Sequence, residues 1–423
     1  MSKKCHIGFV STRFSGNDGV SLETKKWVQV LQDLGYDCFY FGGDCDESDR
    51  EYSYLLPEAH FQHPDIQELY QIGFSLPVRP AEVTTRIHTL KEHLKRHLYE
   101  FIRQFDIQLL IPENVLAIPL NIPLGIALTE LIAETGISVI AHHHDFFWER
   151  KRFLVNCVWD YLNMAFPPHL PSIQHVVINT SGSNQLSLRT GISAMLIPNV
   201  MDFDHPPSPA DDYAAGLRSD LGVEPDEYFF LQPTRVVQRK GIEHAIELIN
   251  RLNGKARLVI SHASGDEGQD YQQRLKHYAS LLSVPTNFVT EIIRDQRGIL
   301  PDDRRVYTLW DAYQCADLVT YPSTIEGFGN AFLEAIYYYK PILVNNYSIY
   351  ATDIKPKGFR VVEFDGYLTE QTVWFVQRIL ADPNLAQEMT EYNYLLARRY
   401  YGYAMLERRL QTLLMKCFGE SRF

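Results

Sequence analysis

The sequence predicts an α/β protein made of two doubly wound, parallel-sheet domains facing each other across a cleft. Three observations predict it. Short apolar runs alternate with amphipathic helical segments along most of the chain, the pattern of repeated βαβ units. The alternation stops at a proline-rich stretch near residues 200–215 and then starts again. A chain of 423 residues also exceeds what one core usually organises, so two domains of roughly 150–200 residues are the default.

The first domain is expected over residues 1–200. CHIGFVS reads as its first strand, followed by a Gly/Asn/Asp loop, an amphipathic helix ending at Gly35, and the strand YDCFYFGG. The helix RIHTLKEHLKRHLYEFIRQF, strand IQLLIPE, helix PLGIALTELIAETG and strand SVIAHHH come next. HVVINT, a helix around SNQLSLRTG, and AMLIPN complete this half. The segment from Asn199 to Gly216, with Pro206, Pro207 and Pro209, reads as a linker.

The second domain is expected over residues 201–394. Its strands are YFFLQPT, ARLVISHA, NFVTEII, LVTYPS and PILVNN, with GIEHAIELINRL, DYQQRLKHYASLL, VYTLWDAYQCA and the segment after Glu326 as helices. Residues of about 395–423 read as one helix crossing back to the first domain. No short-period repeat is visible.

Composition narrows the function classes. Hydrophobic residues at 45% and charged residues at 22% describe an ordinary globular chain, and a net charge of −12 argues against general nucleic-acid binding. The six cysteines lie apart, with no C-x-x-C or zinc-type spacing, which fits reduced thiols in the cytoplasm. MSKKCHIGFV lacks the apolar core of a signal peptide, and no run of about 18 apolar residues appears. Lys91, Lys95, Arg96 and Arg103 give one helix a basic face that suits weak peripheral contact with anionic lipid; Glu92 and Glu100 dilute it towards a solvated face.

Four segments carry candidate chemistry. Gly16 and Gly19 lie between the first strand and first helix, where glycine allows close backbone approach to phosphate or sugar; a plain βα turn accounts for the same residues. In PTRVVQRKGIEHAI, Arg235 and Lys240 follow a strand and suit the charge developing on a leaving diphosphate; a solvated loop with Arg239 as a third bystander accounts for the same residues. In STIEGFGNAFLEAI, Glu326 and Glu334 flank a helix start whose amides, from Gly327, Phe328, Gly329 and Asn330, suit phosphate oxygens or sugar hydroxyls. His142, His143 and His144 end a first-domain strand. Adjacent strand residues point to opposite faces, so the three cannot share one ion, and a single histidine presented as a polar group is expected. Asp44 and Asp46 mimic a metal-binding D-x-D, but their position after the second strand reads as a solvated loop.

With Arg235, Lys240 and the Glu326-x7-Glu334 pair assembled, the chain resembles the family-4 retaining glycosyltransferases, which have two Rossmann-like domains in the GT-B arrangement. The resemblance covers almost the whole chain, including Ile197, Pro198, Asn199, Val200 and Asp202 of the linker and the segment from Tyr307 to Ile336. It implies that Arg235 and Lys240 stabilise the departing diphosphate, that Glu326 contacts the donor sugar and that Glu334 contacts the ribose. It implies a cradle of Gly327 to Asn330, diphosphate approach at Gly16 and Gly19, and a histidine reaching the donor sugar. His144, followed by Asp145, matches that histidine best, with the register open by one. No resident metal or cofactor is implied; a nucleoside diphosphate sugar, UDP-glucose or GDP-mannose in type, is the co-substrate. Transfer retains the anomeric configuration, and the acceptor is a sugar, a small polar metabolite or a glycolipid. The chain departs from the family pattern at Asn345, Asn346, Tyr347 and Tyr350, which fit a specialised subgroup or the acceptor side. A nucleotide-sugar hydrolase or epimerase, or a non-catalytic sugar-nucleotide-binding subunit, are the competing readings.

Overall fold

A computed structural model describes residues 5–16, 18–253, 255–263 and 270–419. The chain forms two compact units, Met1–Val200 with Ala404–Phe423, and Met201–Tyr403.

The sheet of the first unit contains β1 (His6–Val10), β2 (Asp37–Gly42), β3 (Ser53–Leu55), β4 (Ile107–Pro112), β5 (Ser138–His143), β6 (Ile173–Val177) and β7 (Ala194–Leu196). The order is β3-β2-β1-β4-β5-β6-β7, and every pairing is parallel. Helices cover both faces, so its strands are apolar at consecutive positions, as at Phe9 and Val10, both 0% exposed. Leu94, Leu98 and Phe101 of the helix Ala81–Gln104 pack with Leu124, Leu128 and Leu131 of the helix Ile122–Thr135 on one side of this sheet. Two residues of the basic face read from the sequence are ion-paired within the unit: Lys91 lies 3.0 Å from Glu130, and Lys95 lies 2.8 Å from both Glu130 and Glu134.

The second unit holds β8 (Tyr228–Gln232), β9 (Ala256–Ile260), β10 (Thr286–Phe288), β11 (Ile293–Arg294), β12 (Gly298–Ile299), β13 (Arg305–Thr308), β14 (Leu318–Tyr321), β15 (Ile342–Asn345) and β16 (Val362–Phe364). Six of them form a parallel sheet in the order β10-β9-β8-β14-β15-β16. Its core joins Phe230, Leu258 and Leu343 to Ile242, Ile246 and Ile249, the apolar stripe of the helix Ile242–Arg251.

Four details correct the sequence reading. The linker contains a helix, Asp212–Asp220, capped by Asp211, whose side chain accepts from the Ala214 amide at 2.8 Å. NFVTEII is not one strand: β10 ends at Phe288, and β11, β13 and β12 form a separate small sheet. VYT belongs to β13, so the following helix starts only at Leu309, where Thr308 and Asp311 make a capping box. The last helix is two, Pro383–Tyr401 and Tyr403–Phe418, broken where Gly402 takes an extended conformation. Among the described residues no helix is long and apolar enough to cross a membrane, and no disulfide forms.

Candidate active site

In an open parallel sheet, ligands bind beyond the carboxyl ends of the strands where the strand order reverses, because loops on either side diverge there. In the second unit that point lies between β8 and β14. The loop after β8 carries Arg235, Arg239 and Lys240, and the loop after β14 carries Glu326. The structure brings these loops together. Lys240, 8% exposed, pairs through its ammonium with Glu326 Oε1, and Arg239 Nη1 lies 3.3 Å from Glu326 Oε2. Arg239 also donates to the Ile325 carbonyl at 3.1 Å, so it is a working member of the cluster and not the bystander the sequence suggested. Arg235 is exposed and makes no ion pair among the described residues, yet it is near enough to act on Lys240 electrostatically.

Burial pulls the Lys240 ammonium below its ordinary value; Glu326 opposes this, while Arg239 and Arg235 add to it. Burial pushes the Glu326 carboxyl up, but Lys240 and Arg239 outweigh it and hold the group below its ordinary 4.5. The Glu326 contribution to stability is therefore complete above the unfolded value and is lost as pH falls through the lower folded value. In a plot of melting temperature against pH, Glu326→Gln is expected to flatten part of the acid-side loss and leave the neutral-to-alkaline limb parallel to the wild type.

Two glycines make this approach possible. Gly241 has φ +58°, and a Cβ there would lie 2.5 Å from the Pro322 carbonyl. Gly329, with φ +128°, precedes the helix Asn330–Tyr337, and a Cβ there would lie 2.5 Å from the Tyr347 hydroxyl. The Glu326 loop is braced from β15 and the turn after it. Tyr347 donates to the Phe328 carbonyl at 2.8 Å, and Asn345 Nδ2 donates to the Ser323 carbonyl at 3.1 Å. Tyr350 instead donates to Glu363 at 3.1 Å. The departure from the family pattern thus includes two residues that hold the Glu326 loop. Phe328 is 3% exposed, packing edge-on to Tyr401, so only its backbone is placed to meet a ligand. Glu334 is half-buried and accepts from the Tyr313 hydroxyl at 2.7 Å, which orients its carboxylate.

In the first unit the reversal lies between β1 and β4. Gly19 opens the helix Gly19–Asp33, whose end is capped by Asp18: its carboxylate accepts from Val20 N at 3.0 Å and from Ser21 N at 3.2 Å. The Gly16 amide donates to Asp46 at 3.4 Å, and Ser15 Oγ donates to Asp44 at 2.5 Å. Lys25 pairs with Asp46 at 2.6 Å. The D-x-D aspartates lie in a solvent-facing turn, with Asp44 exposed, and also tether the glycine loop. Asp18→Ala is expected to cost about 1 kcal/mol through the lost cap, measured by urea unfolding.

The three histidines alternate as a strand requires. His143 turns one way, its Nε2 2.9 Å from His175 Nδ1. His142 and His144 turn the other way, towards Glu113 at the end of β4. Glu113 Oε2 lies 2.9 Å from His142 Nδ1 and 3.4 Å from His144 Nε2. Of the three, His144 is the least buried. Burial pushes the Glu113 carboxyl up to about 7, against the hydrogen bond from His144. It pulls His142 down to about 4 and lowers His143 and His144 as well. Sequence reasoning missed Glu113; the available signal was an acid closing the strand IQLLIPE.

Comparison with known proteins agrees with this architecture. A family model described as "Glycosyl transferases group 1" matches residues 216–396. The mannosylglucosylglycerate synthase of Thermotoga maritima is 31% identical over 437 aligned positions, covering 95% of this chain and 97% of that protein. Its namesake in Petrotoga mobilis is 33% identical over 380 positions, 84% of this chain and 86% of that one. A crystal structure of a glycosyltransferase from Rickettsia africae superposes over 99% of this chain and 100% of its own with a TM-score of 0.70; at 13% identity it speaks for the fold alone. With two parallel-sheet Rossmann-like units and relatives aligned along nearly its full length, the chain belongs to the group 1 glycosyltransferases, enzymes of the family-4 type with the GT-B fold.

Proposed function

We propose that the enzyme transfers a mannosyl group from GDP-mannose to a hydroxyl of a small anionic glycoside of the glucosylglycerate class, with retention of configuration. The observation that carries the donor half is the cation cluster at the strand-order reversal of the second unit, where Lys240 and Arg239 hold Glu326 and Arg235 lies near enough to act on Lys240. Their charge suits a nucleoside diphosphate leaving group. The names of the two full-length relatives support mannose as the sugar and glucosylglycerate as the acceptor.

On this reading Lys240 and Arg235 stabilise the departing diphosphate, and Glu326, steered by Lys240 and Arg239, accepts from hydroxyls of the donor sugar. The amides from Gly327 to Asn330 cradle the donor, Glu334 accepts from the ribose, and His144 contacts the sugar. The leaving phosphate takes the acceptor proton, so the protein supplies position and positive charge. Asp44 and Asp46 are engaged with Ser15, Gly16 and Lys25, which supports transfer without a metal at that motif. The absence of disulfides among the described residues supports a cytoplasmic setting.

Incubation with GDP-mannose or UDP-glucose, each with and without glucosylglycerate, tests the proposal. The expected result is GDP release only when both GDP-mannose and acceptor are present, with an α-mannosidic product by NMR. Steady nucleotide release from donor alone overturns it in favour of a hydrolase.

A further inference from the structure

Among the described residues, the fully buried carboxylates other than Glu113 have cationic partners, and so does Glu326. Glu23 pairs with Lys26 at 2.9 Å, Asp311 with Arg297 at 2.5 Å, and Glu326 with Lys240. Glu113, 1% exposed, is paired only with the imidazoles of His142 and His144. Its Oε1 is buried without a hydrogen-bond partner, and so is His142 Nε2. The other charge felt by this carboxylate is that of Glu23, which has the same sign. An interior carboxylate in this position either takes up a proton or is met by a cation.

The geometry points to a divalent metal ion of the zinc class held by Glu113, His142 and His144. The three residues offer ligand atoms that all lie within 4.8 Å of one another. Bonds of about 2.0–2.2 Å from zinc to nitrogen and oxygen draw such a set together with small side-chain shifts. Two imidazoles and one carboxylate are a borderline donor set that suits Zn²⁺ or Co²⁺ better than Mg²⁺ or Ca²⁺. The backbone explains the convergence: His142 and His144 are two residues apart and share a face, and Glu113 closes the neighbouring strand, bridged to His142 in register. Trp27 stacks on the His142 ring at 4.2 Å and 22°, which fixes the plane from which that ligand would bind.

Such an ion pins the carboxyl ends of β4 and β5 together. It also occupies His144 Nε2, leaving Nδ1 as the one ring nitrogen for a substrate; this last point rests on the role given to His144 under Proposed function. The metal itself does not, and its test is independent of sugar transfer.

The test uses untagged full-length protein, with bound metal measured by inductively coupled plasma mass spectrometry. About one equivalent of zinc per chain is expected, falling severalfold in Glu113→Gln and in His142→Gln. Co²⁺ added to metal-free protein is expected to give visible d–d bands that both variants lack, and Zn²⁺ is expected to raise the melting temperature of the metal-free wild type. Two results overturn the proposal: a metal-free wild type whose melting temperature and cobalt spectrum do not respond to the ions, or a zinc content that both variants leave unchanged. The wild-type titration decides the matter even where a variant fails to fold.

Discussion

Lys240→Ala is expected to lower kcat for sugar transfer by about 10²–10³-fold, the usual loss when one preorganised electrostatic group is removed. Lys240 is 8% exposed with its ammonium held against Glu326, so on the proposed reading it meets a leaving diphosphate with little water to reorganise. The same change leaves Glu326 buried with Arg239, at 3.3 Å, as its remaining cationic partner among the described residues. Breaking a buried pair typically costs 3–5 kcal/mol, and the remaining guanidinium reduces the expected loss to about 2–3 kcal/mol. The two effects separate in a double variant. Lys240→Met with Glu326→Gln is expected to recover most of the stability in urea unfolding and none of the kcat. Full activity in Lys240→Ala protein would remove the lysine from the transfer step.

Gly241→Ala is expected to destabilise the second unit by on the order of 3 kcal/mol, combining a left-handed backbone unsuited to alanine with overpacking against a carbonyl. The added Cβ lies 2.5 Å from the Pro322 oxygen, and a backbone atom cannot rotate away. Relief has to come from separating the Lys240 turn from the Glu326 loop, which are otherwise joined by the Thr324 amide donating to the Arg239 carbonyl at 2.8 Å. Lower melting temperature and lower kcat are therefore expected together. Gly222→Ala is the control: its φ is also positive, at +66°, but nothing lies within 4 Å of its added Cβ. That variant should lose stability through backbone strain alone and keep its kcat.

Much of the fold was legible because doubly wound sheets write themselves as alternating apolar runs, and the strand–loop–helix order placed Lys240 and Glu326 at the same edge of one sheet. What stayed hidden depended on contacts between distant segments. Whether β4 lies beside β5, and hence whether Glu113 meets His142, is a matter of strand order that no local pattern encodes. Tyr347 braces a loop 19 residues away, which gives it no local signature. The small sheet escaped because strands as short as Ile293–Arg294 and Gly298–Ile299 have no periodicity to read. It is held by Arg297, which reaches Asp211 at 2.6 Å and Asp311 at 2.5 Å. Gly402 stood in a helical pattern long enough to mask the break.

The division at Val200 and Ala404 makes the second unit a single uninterrupted insert within the first. Its two ends are fastened to each other, since the Met201 amide donates to the Tyr401 carbonyl at 2.9 Å. In engineering terms, residues 201–403 are an exchangeable cassette: a related insert spliced at these two points keeps its own closure. Removing the final 20 residues is a different operation, because Ala404–Phe423 belongs to the recipient and Leu406, Leu410, Leu413 and Leu414 are buried there. A chimera cut after Tyr403 but lacking that tail should therefore come out of the cell insoluble, whichever insert it carries.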